Sequence, residues 1–283
     1  MAKCRITSIE FKNYKAFANF SVQLKGLNVL VGPNNAGKST VLGALRILSV
    51  GLRRARAKSA ELMEIGNSLV YGHYLSRESL PVSLENVHTD LAETDTTITF
   101  RLSNGNHLVL AFPLSGGCVL HGETNGRPAS SPSLFKSAFP VSVGVVPVLG
   151  PVEHEEQLVG TDTVQRNIGT HRASRNFRSF WYHNPDGFED FAAQIRRTWP
   201  GMDVQPPECE VGNPPSVRMF CTESRMTREI YWAGFGFQVW CQVLTHLRHA
   251  SDAGLVVVDE PEIYLHADLQ RRLRACPKTL TTC

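Results

Sequence analysis

The stretch Gly32-Pro33-Asn34-Asn35-Ala36-Gly37-Lys38-Ser39-Thr40 constrains this chain more than any other. It has the form G-x-x-x-x-G-K-[ST]. The two glycines of such a loop let the backbone curl until successive N–H groups face inward and cradle phosphate oxygens. Lys38 then supplies a point charge for the β- and γ-phosphates, Ser39 a hydroxyl for Mg²⁺, and the following helix its positive end. Leu27-Asn28-Val29-Leu30-Val31, just upstream, is a short apolar run that predicts a buried strand. Downstream, Val41, Leu45, Leu48 and Leu52 recur on one helix face. Strand, glycine-rich loop and helix is the context this motif requires.

Composition sets outer bounds. A chain of 283 residues suits one or two domains, and 42% hydrophobic with 19% charged residues is ordinary for a globular protein. A net charge of +3 is too small to argue for nucleic acid by itself. The longest apolar run, Val141 to Val152, is broken by Pro147 and Pro151 and falls short of the ~20 residues of a membrane span. Met1 to Arg5 lead into alternating residues with no signal-peptide core, so a cytoplasmic protein without a membrane partner is expected. The seven cysteines include no C-x-x-C pair and read as reduced thiols. Cys118 and His121 have a ligand-like spacing, but no second pair accompanies them.

Along the chain, residues 5–24 predict two strands. Tyr14, Lys15 and Phe17 precede the phosphate loop and are either nucleotide neighbours or plain strand-edge residues. Arg53, Arg54, Arg56 and Lys58 close the first helix, where positive charge suits the C-terminus. Ile98, Phe100 and Leu102 alternate, Asn104-Gly105 turns, and Leu108, Leu110 and Phe112 alternate again, a strong hairpin signal. Asn125-Gly126 marks a second turn. Leu114-Ser115-Gly116-Gly117 resembles the start of the transporter-type L-S-G-G-Q signature, but Cys118 replaces the glutamine and strands surround it. Val141 to Leu149 predicts a buried strand.

Between residues 162 and 199, Arg166, His171, Arg172, Arg175 and Arg178 are interleaved with Phe177, Phe180, Trp181 and Tyr182. Such a mixture can hold a phosphate backbone and stack bases. It can equally form a helical lobe with an aromatic core and solvated arginines, which is the favoured reading. A proline-rich connector covers 205–216, and Val217 to Ile230 is expected to return toward the sheet.

Leu255-Val256-Val257-Val258-Asp259-Glu260 is an apolar run ending in two acids, the Walker B form. A buried strand of this kind delivers Asp259 beside Mg²⁺, and Glu260 polarises the water that attacks the γ-phosphate. Upstream of it, Ala233-Gly234-Phe235-Gly236-Phe237-Gln238 opens an amphipathic helix carrying Val239, Trp240, Val243, Leu244 and Leu247. A glycine-rich turn at a helix N-terminus is a second anion site. It serves a different phosphate from the first loop, and a head-to-tail dimer in which each turn closes over the partner's ATP is the economical arrangement.

Four blocks carry a resemblance. They are Ile9 to Phe17, Gly32 to Thr40, Gly234 to Gln238, and Val257-Val258-Asp259-Glu260-Pro261-Glu262-Ile263-Tyr264-Leu265-His266. In order and wording the chain resembles the ABC-type ATPases of the SMC, RecF and OLD group, often labelled AAA-family ATPases. The resemblance implies an α/β P-loop NTPase of ABC-ATPase-head type, with a mixed sheet core, an antiparallel β lobe and a helical lobe. The expected organisation is one head over 1–283. Its nucleotide-binding core would be 1–60 and 217–275, its β-rich lobe 61–140, and its helical basic and aromatic lobe 155–205.

The resemblance also assigns roles. Gly32, Pro33, Asn34, Asn35, Ala36, Gly37, Lys38, Ser39 and Thr40 would bind ATP. Gly234, Gly236 and Gln238 match the signature turn, with Phe235 where many relatives have serine. Ser39 and Asp259 would hold Mg²⁺, and Glu260 would be the catalytic base. It implies ATP-driven homodimers in DNA repair, DNA maintenance or anti-phage defence, with DNA as a partner. The roughly 220 residues between Lys38 and Asp259 are too many for AAA+ rings and, without long heptads, too few for a coiled-coil arm. Gln157 is the candidate Q-loop glutamine. Relatives continue to a further core strand and a switch histidine, and some to a nuclease module, which would here be separate or missing. The helix begun by Leu265, Leu269 and Leu273 is ended by Pro277, and the tail reads as truncated. Two competing readings are a fragment that binds nucleotide or a partner without turnover, and a transporter nucleotide-binding subunit.

Overall fold

β-Branched and aromatic residues with period-2 alternation build the N-terminal part of the molecule. In the computed structural model, residues 4–33, 35–66, 68–77, 80, 87–89, 96–114, 116–260, 263–275 and 280–282 are described. The chain divides into two units. The first comprises Met1–Gly144, Asp252–Val257 and Thr279–Cys283, and the second Val145–Ser251 and Val258–Lys278.

The first unit starts with β1 (Ile6–Tyr14) and β2 (Phe17–Gln23), the two strands expected over 5–24, followed by α1 (Lys38–Ala57). Next come β3 (Glu61–Ile65), β4 (Ser68–Leu75), β5 (Thr96–Leu102), β6 (His107–Phe112), β7 (Cys118–Glu123) and α2 (Pro132–Ala138). The strands form one seven-stranded antiparallel sheet of order β2-β1-β5-β6-β7-β4-β3. The Asn104-Gly105 turn joins β5 and β6 as expected, with Gly105 at a φ of 85°. Register places Phe11 opposite Ile98, Ile98 opposite Leu110, and Leu110 opposite Leu120. These four are fully buried and share one face. That face receives α1, whose Val41, Leu45, Leu48 and Leu52 are buried as their spacing predicts. Gly51 marks the closest approach, because a side chain there would meet Leu120 at 2.8 Å. Each of these large apolar side chains contributes on the order of 1.5–3 kcal/mol by burial.

One expectation is corrected in this unit. Leu27 to Val31 is not a buried strand. Among the described residues it has a single bridge position, at Val29, and Leu27, Val29 and Val31 are 47%, 45% and 88% exposed. A strand is buried only when ladder partners flank it, and apolar content alone does not supply them. Leu27 to Leu30 instead line an open cavity of about 330 Å³ with Val41, Leu42 and Leu45 of α1. Of the two readings of Tyr14, its packing suits the plain strand residue, because it is 1% exposed and lies against Phe112. Burial pushes its phenol well up. The chain turns at Asn125-Gly126 as expected and then enters α2, capped by Ser131. Cys118 and His121 sit three apart on β7, so they face opposite sides of the sheet.

The second unit is built from short elements. They are β9 (Glu156–Gln157), α3 (Thr161–Asn167), α4 (Phe177–His183), α5 (Phe188–Thr198), β10 (Met202–Val204), β11 (Glu208–Glu210), β12 (Ser216–Arg218), β13 (Phe220–Glu223), β14 (Met226–Glu229), α6 (Phe235–His249) and α7 (Ala267–Ala275). Before them in the chain lies β8 (Val143–Val146), and after α6 come β15 (Leu255–Val258) and β16 (Leu280–Thr282). A three-stranded sheet has the order β16-β15-β8, and the division between the units falls within β8 and within β15. Val217 to Ile230 does not rejoin it. That segment forms two separate antiparallel sheets, β11-β12-β9 and β10-β13-β14, because its strands are three or four residues long and pair locally.

Most aromatic residues of 162–199 are core, Tyr182 at 39% exposed being an exception. Phe177, Trp181, Phe188, Phe191 and Ile195 are at most 5% exposed, with Trp181 stacked on Phe191 at 4.4 Å. Two indoles find hydroxyl partners, Trp181 Nε1 to Thr245 Oγ1 at 2.9 Å and Trp240 Nε1 to Thr198 Oγ1 at 2.8 Å. Among the described residues no helix is long and apolar enough to cross a membrane.

Candidate nucleotide site

The phosphate loop lies in the first unit. Ala36 N–H donates to Pro33 O, and Thr40 and Val41 N–H donate to Gly37 O at 3.0 and 3.1 Å as α1 starts. Gly37 caps the helix at a φ of 85° with no side-chain cap, and Asn35 also has a positive φ of 65°. Glycine is required at position 37 twice over, since a Cβ there would lie 2.4 Å from the Phe17 ring. No acidic residue occupies the first turn of α1, so its positive end is uncompensated. The Lys38 ammonium donates to Gly32 O at 2.6 Å and Pro33 O at 2.9 Å, folding back over the curled loop. Ser39 is exposed. Asn34 is outside the described residues.

β15 is fully buried, from Leu255 at 8% to Val257 at 0% exposed, and ends at the two acids. Asp259 N–H donates to Val146 O at 3.1 Å, which ties the acid to the end of β8. Glu260 is exposed, with a φ of 47°, and its carbonyl accepts from Ile263 N–H. Pro261 and Glu262 of the same block are outside the described residues.

The signature block lies in the second unit. Gly234 caps the 15-residue α6, with Phe237 and Gln238 N–H bonded to its carbonyl. The first turn of α6 carries no acid, and Phe235 stands 55% exposed. A Cβ on Gly236 would meet Tyr264 O at 3.0 Å, and the Phe235 and Tyr264 rings are 6.2 Å apart. The unit therefore brings the signature turn against the chain that follows Glu260. Gln238 departs from the expected ligand contact. It is 0% exposed and its amide is bonded to Val152 N, Tyr231 O and Ala233 O. Gln157, the Q-loop candidate, is exposed on the short β9.

The arginine and aromatic segment separates into two kinds of residue. Arg172 and Arg175 are exposed, Arg175 pairing with Glu153 at 3.1 Å. Arg178 is 0% exposed. Its guanidinium makes a bidentate pair with Glu229, at 2.8 and 3.0 Å, and donates to Glu153 O. Glu156, 2% exposed, accepts the N–H groups of Arg178 and Ser179. Burial pushes the Glu156 carboxyl up, against the pull of those N–H groups and the guanidinium. Spacing alone gave no sign of this network, because Arg178 and Glu229 are far apart in the chain and look like any surface pair.

Two family models match separate parts of the chain. Residues 5–103 match the family described as "AAA ATPase domain", and residues 157–278 match "AAA domain, putative AbiEii toxin, Type IV TA system". Both matches are to AAA-family ATPases, and the chain is an AAA-family ATPase. Solved structures agree on the fold. An SMC head bound to the C-winged helix domain of ScpA is similar at 12% identity and a TM-score of 0.57, over 98% of this chain and 88% of that one. The recombination mediator protein RecF with ATP is similar at 9% identity and a TM-score of 0.55, over 99% of this chain and 92% of that one. No curated protein sequence matches. Within this ATPase, the P-loop fold is mixed α/β with a large antiparallel sheet, as the motif order led one to expect.

Proposed function

We propose that this ATPase binds and hydrolyses ATP with Mg²⁺, as a head that dimerises on its nucleotide and works in DNA maintenance or anti-phage defence in the cytoplasm. The observation that carries the reading is the loop at the start of α1. Gly37 and Asn35 adopt left-handed backbone, the helix end is uncompensated, and Lys38 lies over the curl, which suits a triphosphate. A hydroxyl and a carboxylate, Ser39 and Asp259, are the hard oxygen donors that Mg²⁺ takes. The ion would neutralise charge developing on the phosphoryl oxygens.

In this reading Gly32 to Thr40 hold the phosphates and Glu260 accepts a proton from the attacking water. The first-turn N–H groups of α6, presented by Gly234 and Gly236, meet the γ-phosphate held by a second copy. RecF and SMC heads support the pathway class by likeness of fold, and the second family description supports the defence reading. The deciding experiment is steady-state ATP hydrolysis with Mg²⁺, with and without double-stranded DNA, beside Lys38→Ala and Glu260→Gln. Turnover that needs both residues is expected. Turnover unaffected by Glu260→Gln would overturn the mechanism, and unchanged ATP binding by Lys38→Ala would overturn the site.

A further inference from the structure

Gln238 is fully buried at the start of α6, yet nearly every hydrogen-bonding position of its amide is used. Oε1 accepts Val152 N–H at 3.0 Å, and Nε2 donates to Tyr231 O at 2.7 Å and Ala233 O at 2.8 Å. One turn later on the same helix face, Gln242 Nε2 donates to Gly150 O at 2.8 Å. The two glutamines thus fasten segment 150–152 to the first turns of α6. From the other side, Glu229 accepts Tyr231 N–H at 2.8 Å and is itself fixed by the Arg178 fork. The single turn Ile230–Trp232 is held at both ends, and Gly234 follows after Ala233. Trp232 and Phe235, 65% and 55% exposed, project from this braced turn, with the His154 ring 5.8 Å from that of Trp232.

We infer that Gln238 is a positioning residue, which aims the Gly234–Gly236 turn at the triphosphate on a second copy by gripping the backbone on either side of it. It does not touch nucleotide. Phe237 N–H already bonds Gly234 O, whereas the N–H groups of Phe235 and Gly236 precede the first intrahelical bonds, so their direction decides what they bind, and that direction is set by the path of Tyr231 to Ala233. This inference rests on the dimer reading above.

The test uses the full chain in the Glu260→Gln background, so that ATP is bound without being consumed. Two properties are measured for the parent, Gln238→Met and Gln238→Glu. One is the affinity of the single chain for a fluorescent ATP analogue, and the other is ATP-dependent self-association by sedimentation. Gln238→Met keeps the volume and removes all three bonds. It should hold single-chain affinity within about twofold and weaken self-association by about tenfold or more. Gln238→Glu keeps the acceptor for Val152 N–H but sets a carboxylate oxygen against the Tyr231 and Ala233 carbonyls, so it should weaken self-association at least as much, and it carries the test if Gln238→Met does not fold. Self-association equal to the parent's would overturn the inference, as would a loss of single-chain affinity like that of Lys38→Ala. A parent that does not self-associate with ATP would overturn the dimer reading, and this inference with it.

Discussion

The Phe17 ring lies against Gly37, so close that a side chain on that glycine would come within 2.4 Å of it. A residue from the β1–β2 turn region thereby shapes the phosphate loop from behind. Gly37→Ala should lose nucleotide binding and stability together. The left-handed backbone alone costs about 1–2 kcal/mol for a residue with a Cβ. Adding Phe17→Ala relieves the clash but not the backbone term, so the double variant should recover stability only in part. Thermal melts with and without ATP read both effects.

Lys38→Ala and Glu260→Gln should separate binding from chemistry. The first removes the charge over the loop and should weaken ATP binding by about tenfold or more. The second should leave binding intact and slow turnover by the 10²–10⁴-fold typical of a lost general base, read as roughly that drop in kcat.

Glu260 has a φ of 47°, a conformation that costs a non-glycine residue roughly 1 kcal/mol or more. Glu260→Gly should therefore raise stability by about 0.5–1 kcal/mol after its own entropy loss, a few degrees in Tm, while abolishing hydrolysis. A destabilised Glu260→Gly would mean that the carboxylate makes contacts worth more than the strain.

Arg178→Ala leaves Glu156 and Glu229 buried without their cation and should cost about 3–5 kcal/mol in urea unfolding. Arg175→Ala removes an exposed pair with Glu153 and should cost at most about 1 kcal/mol. The contrast distinguishes a structural arginine from a surface one three residues away.

Acid should destabilise this ATPase before its carboxylates titrate. Burial holds His246 neutral, with a nearby His249 adding to the effect, and lowers its pKa to about 3. Burial lowers His73 and His121 in the same direction. The unfolded chain then binds protons that the folded chain refuses, so stability is full above about pH 6.5 and falls as pH drops toward each folded value. Each buried histidine contributes a slope of up to about 1.4 kcal/mol per pH unit within its window. His246→Gln should reduce that slope by about one proton between pH 6 and pH 4, measured by urea midpoints across the range.

Motif and periodicity together determined the P-loop, the helix that follows it, the Asn104-Gly105 hairpin and the buried run ending at Asp259 and Glu260. All of these rest on local physics. Glycine spacing sets backbone curl, and residue periods of 3.6 or 2 set which side chains share a face. Leu27 to Val31 has the right residues for a buried strand, but burial depends on neighbours from elsewhere in the chain, and its side chains face open space instead. Arg178 and Tyr182 belong to one basic and aromatic run, yet the fold gives Arg178 the buried Glu156 and the partly buried Glu229 and leaves Tyr182 39% exposed. Gln238 belongs to the signature wording, and only tertiary packing turned its amide inward onto three backbone groups. Which partner a polar side chain meets is settled by contacts distant in sequence, because burial makes each unpaired donor or acceptor costly and the chain folds to satisfy them.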